Sequence, residues 1–241
     1  MRARRAVGAV TAGCLLLVLG AWSAPAGAAT SAATLYREAM ATTKGWSVHY
    51  ASDAVISKVP ILESGDAGPA SGTQEVLVGS GAMTDNASLI VIGDLTYLRG
   101  NAAALQDLAG LTAAQAAANV GHWVQFSSEN PAFSQVVAGI RSHDVAQEVV
   151  MKGPFTLGAP KTIEGIRVDA IRGTQTLQAH KKLDAILYVR AAAPHRVVEE
   201  DGVNAKGQPN GMEHIIFSKW GESVRPTAPA ASITLGPINT A

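Results

Sequence analysis

Glu199, Glu200 and Asp201 stand in a row, with His195 four residues before them and Glu213-His214 on the next apolar run. Four carboxylates and two imidazoles in that space could hold a hard or borderline cation. The spacing carries no HxxxH or HExxH pair, and of the six histidines (His49, His122, His143, His180, His195 and His214) none is in ligand register with another. A solvated hairpin end explains the cluster as well, and no metal site is expected. Ser80, between Gly79 and Gly81 in VGSGAM, is the nearest approach to a nucleophile. A serine hydrolase needs GxSxG on a strand-to-helix elbow, and here no helix follows; glycines in a curved or edge strand account for the motif. Neither GxGxxG nor GxxxxGK[ST] occurs, so no nucleotide or dinucleotide cofactor is expected. No catalytic residue can be nominated, and the expectation is a protein without enzymatic activity.

Cys14 is the single cysteine. In TAGC it could be a lipidated lipobox cysteine, but the apolar LLLVLGAW continues past it, and a lipobox cysteine normally closes the apolar run. The stretch reads instead as a secretory signal: Arg2, Arg4 and Arg5, an apolar core, then Ala26-Gly27-Ala28 as the cleavage signature. Residues 1–28 are therefore expected to be removed, giving a secreted or cell-envelope protein, lipid-anchored only if Cys14 is a true lipobox cysteine. The mature chain then has no thiol for a disulfide, a metal or nucleophilic attack. Loss of the three arginines leaves 16 basic against 19 acidic residues, a net charge of −3. Nucleic acid is an unexpected partner for such a surface, and no later apolar run is long enough to span a bilayer.

What must position any site is an alternation of elements. Leu35, Tyr36, Ala39 and Met40 share a helical face ending at Gly45. WSVHYASDAVI alternates, with Trp46, Val48, Tyr50, Ser52, Ala54 and Ile56 on one side and His49 and Asp53 on the other, as in a half-buried strand. KVPILESGDAGPASG reads as a Pro/Gly/Ser connection. TQEVLVGSGAM, SLIVIGD and LTYLRG are closely spaced strands, which pair as an antiparallel meander. The alanine-rich stretch 101–120 predicts two short helices split at Gly110. GHWVQFS is strand-like. NPAFSQVVAGIRSHDVAQEVV is helical, with Asn130 as N-cap, Pro131 in the first turn and Phe133, Val136, Val137 and Ile140 on one stripe. Five strand candidates follow, among them LDAILYVR, where Leu183, Ala185, Leu187 and Val189 oppose Asp184, Ile186, Tyr188 and Arg190. VRPTAPAASITLGPINTA is a proline-rich tail expected to pack loosely. The sum is an α+β domain on a large antiparallel sheet, residues 29–225, with a tail over 226–241. Aromatics are 5% of the chain; Trp46, Trp123, Phe126, Phe133, Phe217 and Trp220 are expected as packing anchors, or as the walls of an apolar cavity.

The order TYLRGNAAAL, a small-residue helical stretch, GHWVQFS and PAFSQVV, followed by TIEGIRVDAIRG, LDAILYVRAAAPHRVVEEDG and IIFSKWGESVRPTAP, resembles a pattern of exported actinobacterial proteins. These belong to the LolA-like lipoprotein-carrier group, in its LppX and LprG branch. The resemblance spans about residues 31–230 and rests on glycines, one tryptophan and strand patterns. It implies a curved antiparallel half-barrel with helices across the concave face, and a cavity between them that holds a lipid or other hydrophobic small molecule. No family motif fixes the cavity residues. Helix and strand phase nominate Val48, Tyr50, Leu98, Trp123, Val136, Val137, Ile140, Leu187 and Ile216 as lining. The function implied is a non-enzymatic exported carrier or chaperone of a lipid-like ligand. The alternatives are an envelope protein-interaction or structural module with a filled core, contacting another protein or the membrane surface, and a hydrolase whose site has no recognisable motif.

Overall fold

The computed structural model describes residues 31–235 apart from 57, 80–83, 131, 132, 134–136, 138, 177–181, 205, 207 and 208. The expected signal peptide with Cys14, and Ser80, Pro131, Val136, His180 and the last six residues of the tail, lie outside the described residues.

The chain opens with α1 (Ala32–Gly45) and a five-strand meander: β1 (Val48–Ile56), β2 (Val59–Ala67), β3 (Ser71–Val78), β4 (Asp85–Ile92) and β5 (Leu95–Gly100). Two helices, α2 (Ala102–Ala109) and α3 (Ala113–Asn119), lead into β6 (Val124–Ser127), and α4 (Ser142–Glu148) follows. The second strand group is β7 (Met151–Leu157), β8 (Lys161–Ile163), β9 (Ile166–Thr176), β10 (Lys182–Arg190), β11 (Val197–Val203) and β12 (Pro209–Ser218); β13 (Ile233–Thr234) closes the list. All thirteen strands join one sheet, ordered β13-β6-β5-β4-β3-β2-β1-β12-β11-β10-β9-β7, with β8 paired to β9. Every pairing is antiparallel except β13 on β6. The sheet does not close on itself: it is the curved, open, antiparallel sheet with helices on its concave face that the α+β reading expects.

Local chemistry sets the helix ends. Ser31 caps α1 by accepting from Thr34 N–H at 3.2 Å, and Asn101 caps α2 by accepting from Ala104 N–H at 2.9 Å. Thr112 and Gln115 form a reciprocal capping box on α3. Gly110, at φ 66, takes the left-handed conformation that ends α2 and separates it from α3.

Three expectations change. The Pro/Gly/Ser connection is β2. Pro60 lies at its start, before the β3 ladder begins at Ile61, where a missing N–H costs the sheet little. Gly65 lies where a Cβ would collide with the Thr73 carbonyl, so the composition that suggests a loop serves a tightly coiled strand. The helical run after Asn130 is divided by Gly139 at φ 80, with α4 beginning only at Ser142. The tail is not loose throughout: Ile233 N–H donates to Trp123 O and Leu235 N–H to Gln125 O, both at 2.8 Å, adding β13 to the sheet edge.

The inner face carries two apolar clusters. One packs α1 (Leu35, Ala39, Met40) and α4 (Val145, Ala146) on Val48, Tyr50, Ile171, Leu187, Ile215 and Phe217. The other packs α2 and α3 on Leu89, Val91, Leu98, Val124 and Phe126. A smaller cluster on the outer face joins Val168, Ala170, Ile186, Tyr188, Val198 and Val203. The alternation of β10 follows the sequence pattern: Leu183, Ala185, Leu187 and Val189 are buried, with Ile186 and Tyr188 in the outer cluster. Among the described residues no helix is long and apolar enough to cross a membrane.

Candidate functional site

The nominated lining residues separate into groups. Val48, Tyr50 and Leu187 lie in the cluster beneath α1 and α4, while Leu98, Val137 and Ile140 lie in the cluster beneath α2 and α3. Trp123 precedes β6, half-buried, with the Arg99 guanidinium 4.7 Å from its ring centroid. Its neighbour Phe126 is 1% exposed and packs in the core. Ile216 points to the opposite face and is 38% exposed. Strand alternation explains this: Ile215 and Phe217 take the inward positions, leaving Ile216 outward.

The same alternation splits the acidic group seen in sequence. Glu199, Asp201 and His214 face outward, and one ligand atom from each falls within 4.8 Å of the others. That geometry could hold a cation, but Lys161 Nζ already lies 2.8 Å from Glu199 and His214 Nδ1 lies 2.7 Å from Asp201. His195 is held elsewhere, 3.6 Å from Glu38 of α1 and 3.0 Å from the Arg190 carbonyl. His49 pairs with Asp66 at 2.8 Å. None of these histidine contacts involves a serine.

Glu200 and Glu213 face inward. Glu200 is 0% exposed, and neither of its carboxyl oxygens has a hydrogen-bond partner. Burial first, then the neighbouring Glu213 and Asp201 charges, push its pKa up to about 9. Burial and Glu148 raise Glu213 to about 7, against a lowering hydrogen bond from Gln175. Glu148 and Glu63 are also raised, in each case chiefly by burial. At neutral pH Glu200 is therefore protonated and Glu213 is near its midpoint, both among aliphatic side chains.

A cleft lies where β8, β9, β10, β11 and β12 end, beside the outer cluster. It has a volume of about 570 Å³. Ile163, Ile166, Val198, Ile216, Phe217 and Trp220 supply its apolar wall. Trp220 stacks on Phe217 at 6.0 Å and is fixed by donation from its Nε1 to the Val197 carbonyl at 3.1 Å. Arg167, Arg190, Arg196 and Lys219 stand around this wall. The Arg196 guanidinium lies 4.1 Å from the Trp46 ring centroid, and its Nε is buried without a hydrogen-bond partner. Burial and the Arg190 charge lower its pKa. Sequence reasoning reached this site only through Ile216, Phe217 and Trp220. Its members come from the ends of five strands, and the register of β8 to β12 collects them.

No protein-family profile matches the chain, and no curated protein matches its sequence. Among solved structures, LprF from Mycobacterium bovis superposes with a TM-score of 0.55 at 17% identity, over 83% of this chain and 97% of LprF. The chain shares the fold of LprF. The Mycobacterium tuberculosis lipoprotein LppX matches at a TM-score of 0.47 and 15% identity, over 80% of this chain and 97% of LppX. A LolA-superfamily protein of Nitrosomonas europaea matches at 0.29 and 10%, over 82% of this chain and 96% of its own. On this frame α1 and α4 occupy the concave face beside β1, and the 570 Å³ cleft opens at the strand ends of the second half.

Proposed function

We propose that this chain is an exported, non-enzymatic binding protein that carries a lipid-like ligand in the cell envelope. The observation that carries the reading is the 570 Å³ cleft with six aliphatic or aromatic side chains in its wall. Its volume falls in the range of small-molecule sites, roughly 300–1,000 Å³. Each methylene of an acyl chain moved from water to such a wall contributes about 0.8 kcal/mol. Ile216 is the one nominated residue that lines this cleft. For a ligand to reach Val48, Tyr50 and Leu187, α1 and α4 would have to lift from the sheet, so those residues enter the reading as a second, inner chamber. Export follows from the leader over residues 1–28.

Native mass spectrometry of the mature protein purified from its own envelope, followed by organic extraction, tests the proposal. A stoichiometric lipid or acyl species is the expected result. A protein that is empty, and that takes up neither fluorescent fatty acids nor phospholipids, would overturn it. That result would favour the second reading, a protein-interaction module. A specific feature supports that module: Ala51, Leu62, Leu77 and Ile216 form an exposed apolar strip on the outer face of β1, β2, β3 and β12.

A further inference from the structure

The charge around the cleft is as specific as its apolar wall. Arg167, Arg190, Arg196 and Lys219 face two acids, Glu164 and Glu199, and Glu199 is taken by Lys161 at 2.8 Å. Among the described residues none of the four cations forms an ion pair with the protein. Like charges gathered beside an apolar surface repel each other and lose hydration, a cost the fold does not offset with its own carboxylates. Arg196 shows it most clearly, with its plane on Trp46 and its buried Nε donor unused. The missing partner is an acceptor of negative charge, and a guanidinium pair suits a planar or tetrahedral oxyanion.

We propose that the ligand of the cleft is a monomeric amphiphile with an anionic oxyacid headgroup, the headgroup held by Arg190 and Arg196 and the chain laid on Ile163, Ile166, Ile216 and Trp220. This rests on the carrier reading and names its ligand class. The charge distribution favours a single amphiphile over a bilayer. Without residues 1–28 the chain carries a net charge of −3, so the molecule as a whole is repelled by an anionic surface, against which the four cations at the cleft are a local exception.

The test uses delipidated mature protein and three probes with the same twelve-carbon chain, each below its micelle concentration: dodecyl phosphate, dodecanoate and the uncharged dodecyl maltoside. Affinities are measured by calorimetry. The two anions are expected to bind at least about tenfold more tightly than the maltoside, the margin of one or two charge-assisted hydrogen bonds. That margin should shrink as salt rises. Arg190→Gln and Arg196→Gln should each remove most of it, weakening the two anions far more than the maltoside. Arg196→Lys, which keeps the charge, should retain more of it than Arg196→Gln. Thermal melts confirm that the variants fold, and Arg190→Gln, which leaves the Trp46 stack intact, stands if Arg196→Gln does not. Equal binding of all three probes would overturn the headgroup assignment and leave the carrier reading standing. Binding of none would remove both. Inorganic phosphate matching dodecyl phosphate, or cosedimentation with phosphatidylglycerol vesicles without binding of monomers, would also overturn the proposal.

Discussion

Replacing Glu200 with glutamine should weaken the dependence of stability on pH. In the fold its carboxyl titrates at about 9, against an ordinary value of 4.5. A carboxyl raised in this way contributes stability that is fully present below the unfolded value and is lost as pH rises through the folded one. One proton of difference amounts to about 1.36 kcal/mol per pH unit. Between about pH 5 and pH 8, Glu200 alone should therefore cost the folded state on the order of 4 kcal/mol. Glu213, at about 7, adds a second proton over the lower part of that range. These two carboxyls should make wild-type stability fall more steeply up to about pH 7 than beyond it. The whole loss is comparable to the roughly 5–15 kcal/mol that keeps a domain folded. Glutamine reproduces the neutral carboxyl in shape and has no proton to lose, though its buried amide donors cost roughly 1–3 kcal/mol. Urea unfolding of the mature protein, with the slope checked for constancy, reads the difference directly. Glu200→Gln should be equal to or less stable than wild type near pH 5 and gain about 4 kcal/mol on it by pH 8. A difference that stays flat over that interval, or a wild type that becomes more stable as pH rises, would refute the reasoning.

Two further outcomes follow from the edge and the leader. Phe126→Ala should destabilise by roughly 3–5 kcal/mol, as a fully buried aromatic lost from the core under α2 and α3. Trp123→Ala, which gives up a half-exposed ring under Arg99, should cost about 1 kcal/mol, and chemical denaturation separates the two. Intact mass of the exported protein should correspond to a chain beginning at Ala29; a species retaining Cys14 with added acyl mass would replace the free-secretion reading with a lipid anchor.

Much of the frame is legible in the residues. The strand alternation of 183–190 and the break at Gly110 follow from local propensity and survive folding unchanged. β2 was not legible, because Pro60 and Gly65 carry the composition of a loop, and only the curvature of the sheet gives them a place within a strand. The inner and outer clusters were legible as faces, since a period of two assigns side chains to sides. What covers each face was not.

The sequence by itself determined most of the secondary elements and which residues in each strand share a side. These depend on neighbours a few positions apart. Tertiary structure alone decided that Glu200 is isolated from water while Glu199 meets Lys161, and that Arg190 and Arg196 stand unpaired beside Trp220 and Ile216. Those facts depend on the register of β9 to β12, which brings together groups separated by tens of residues. Register is set by the summed burial of whole strands, a quantity no local spacing contains.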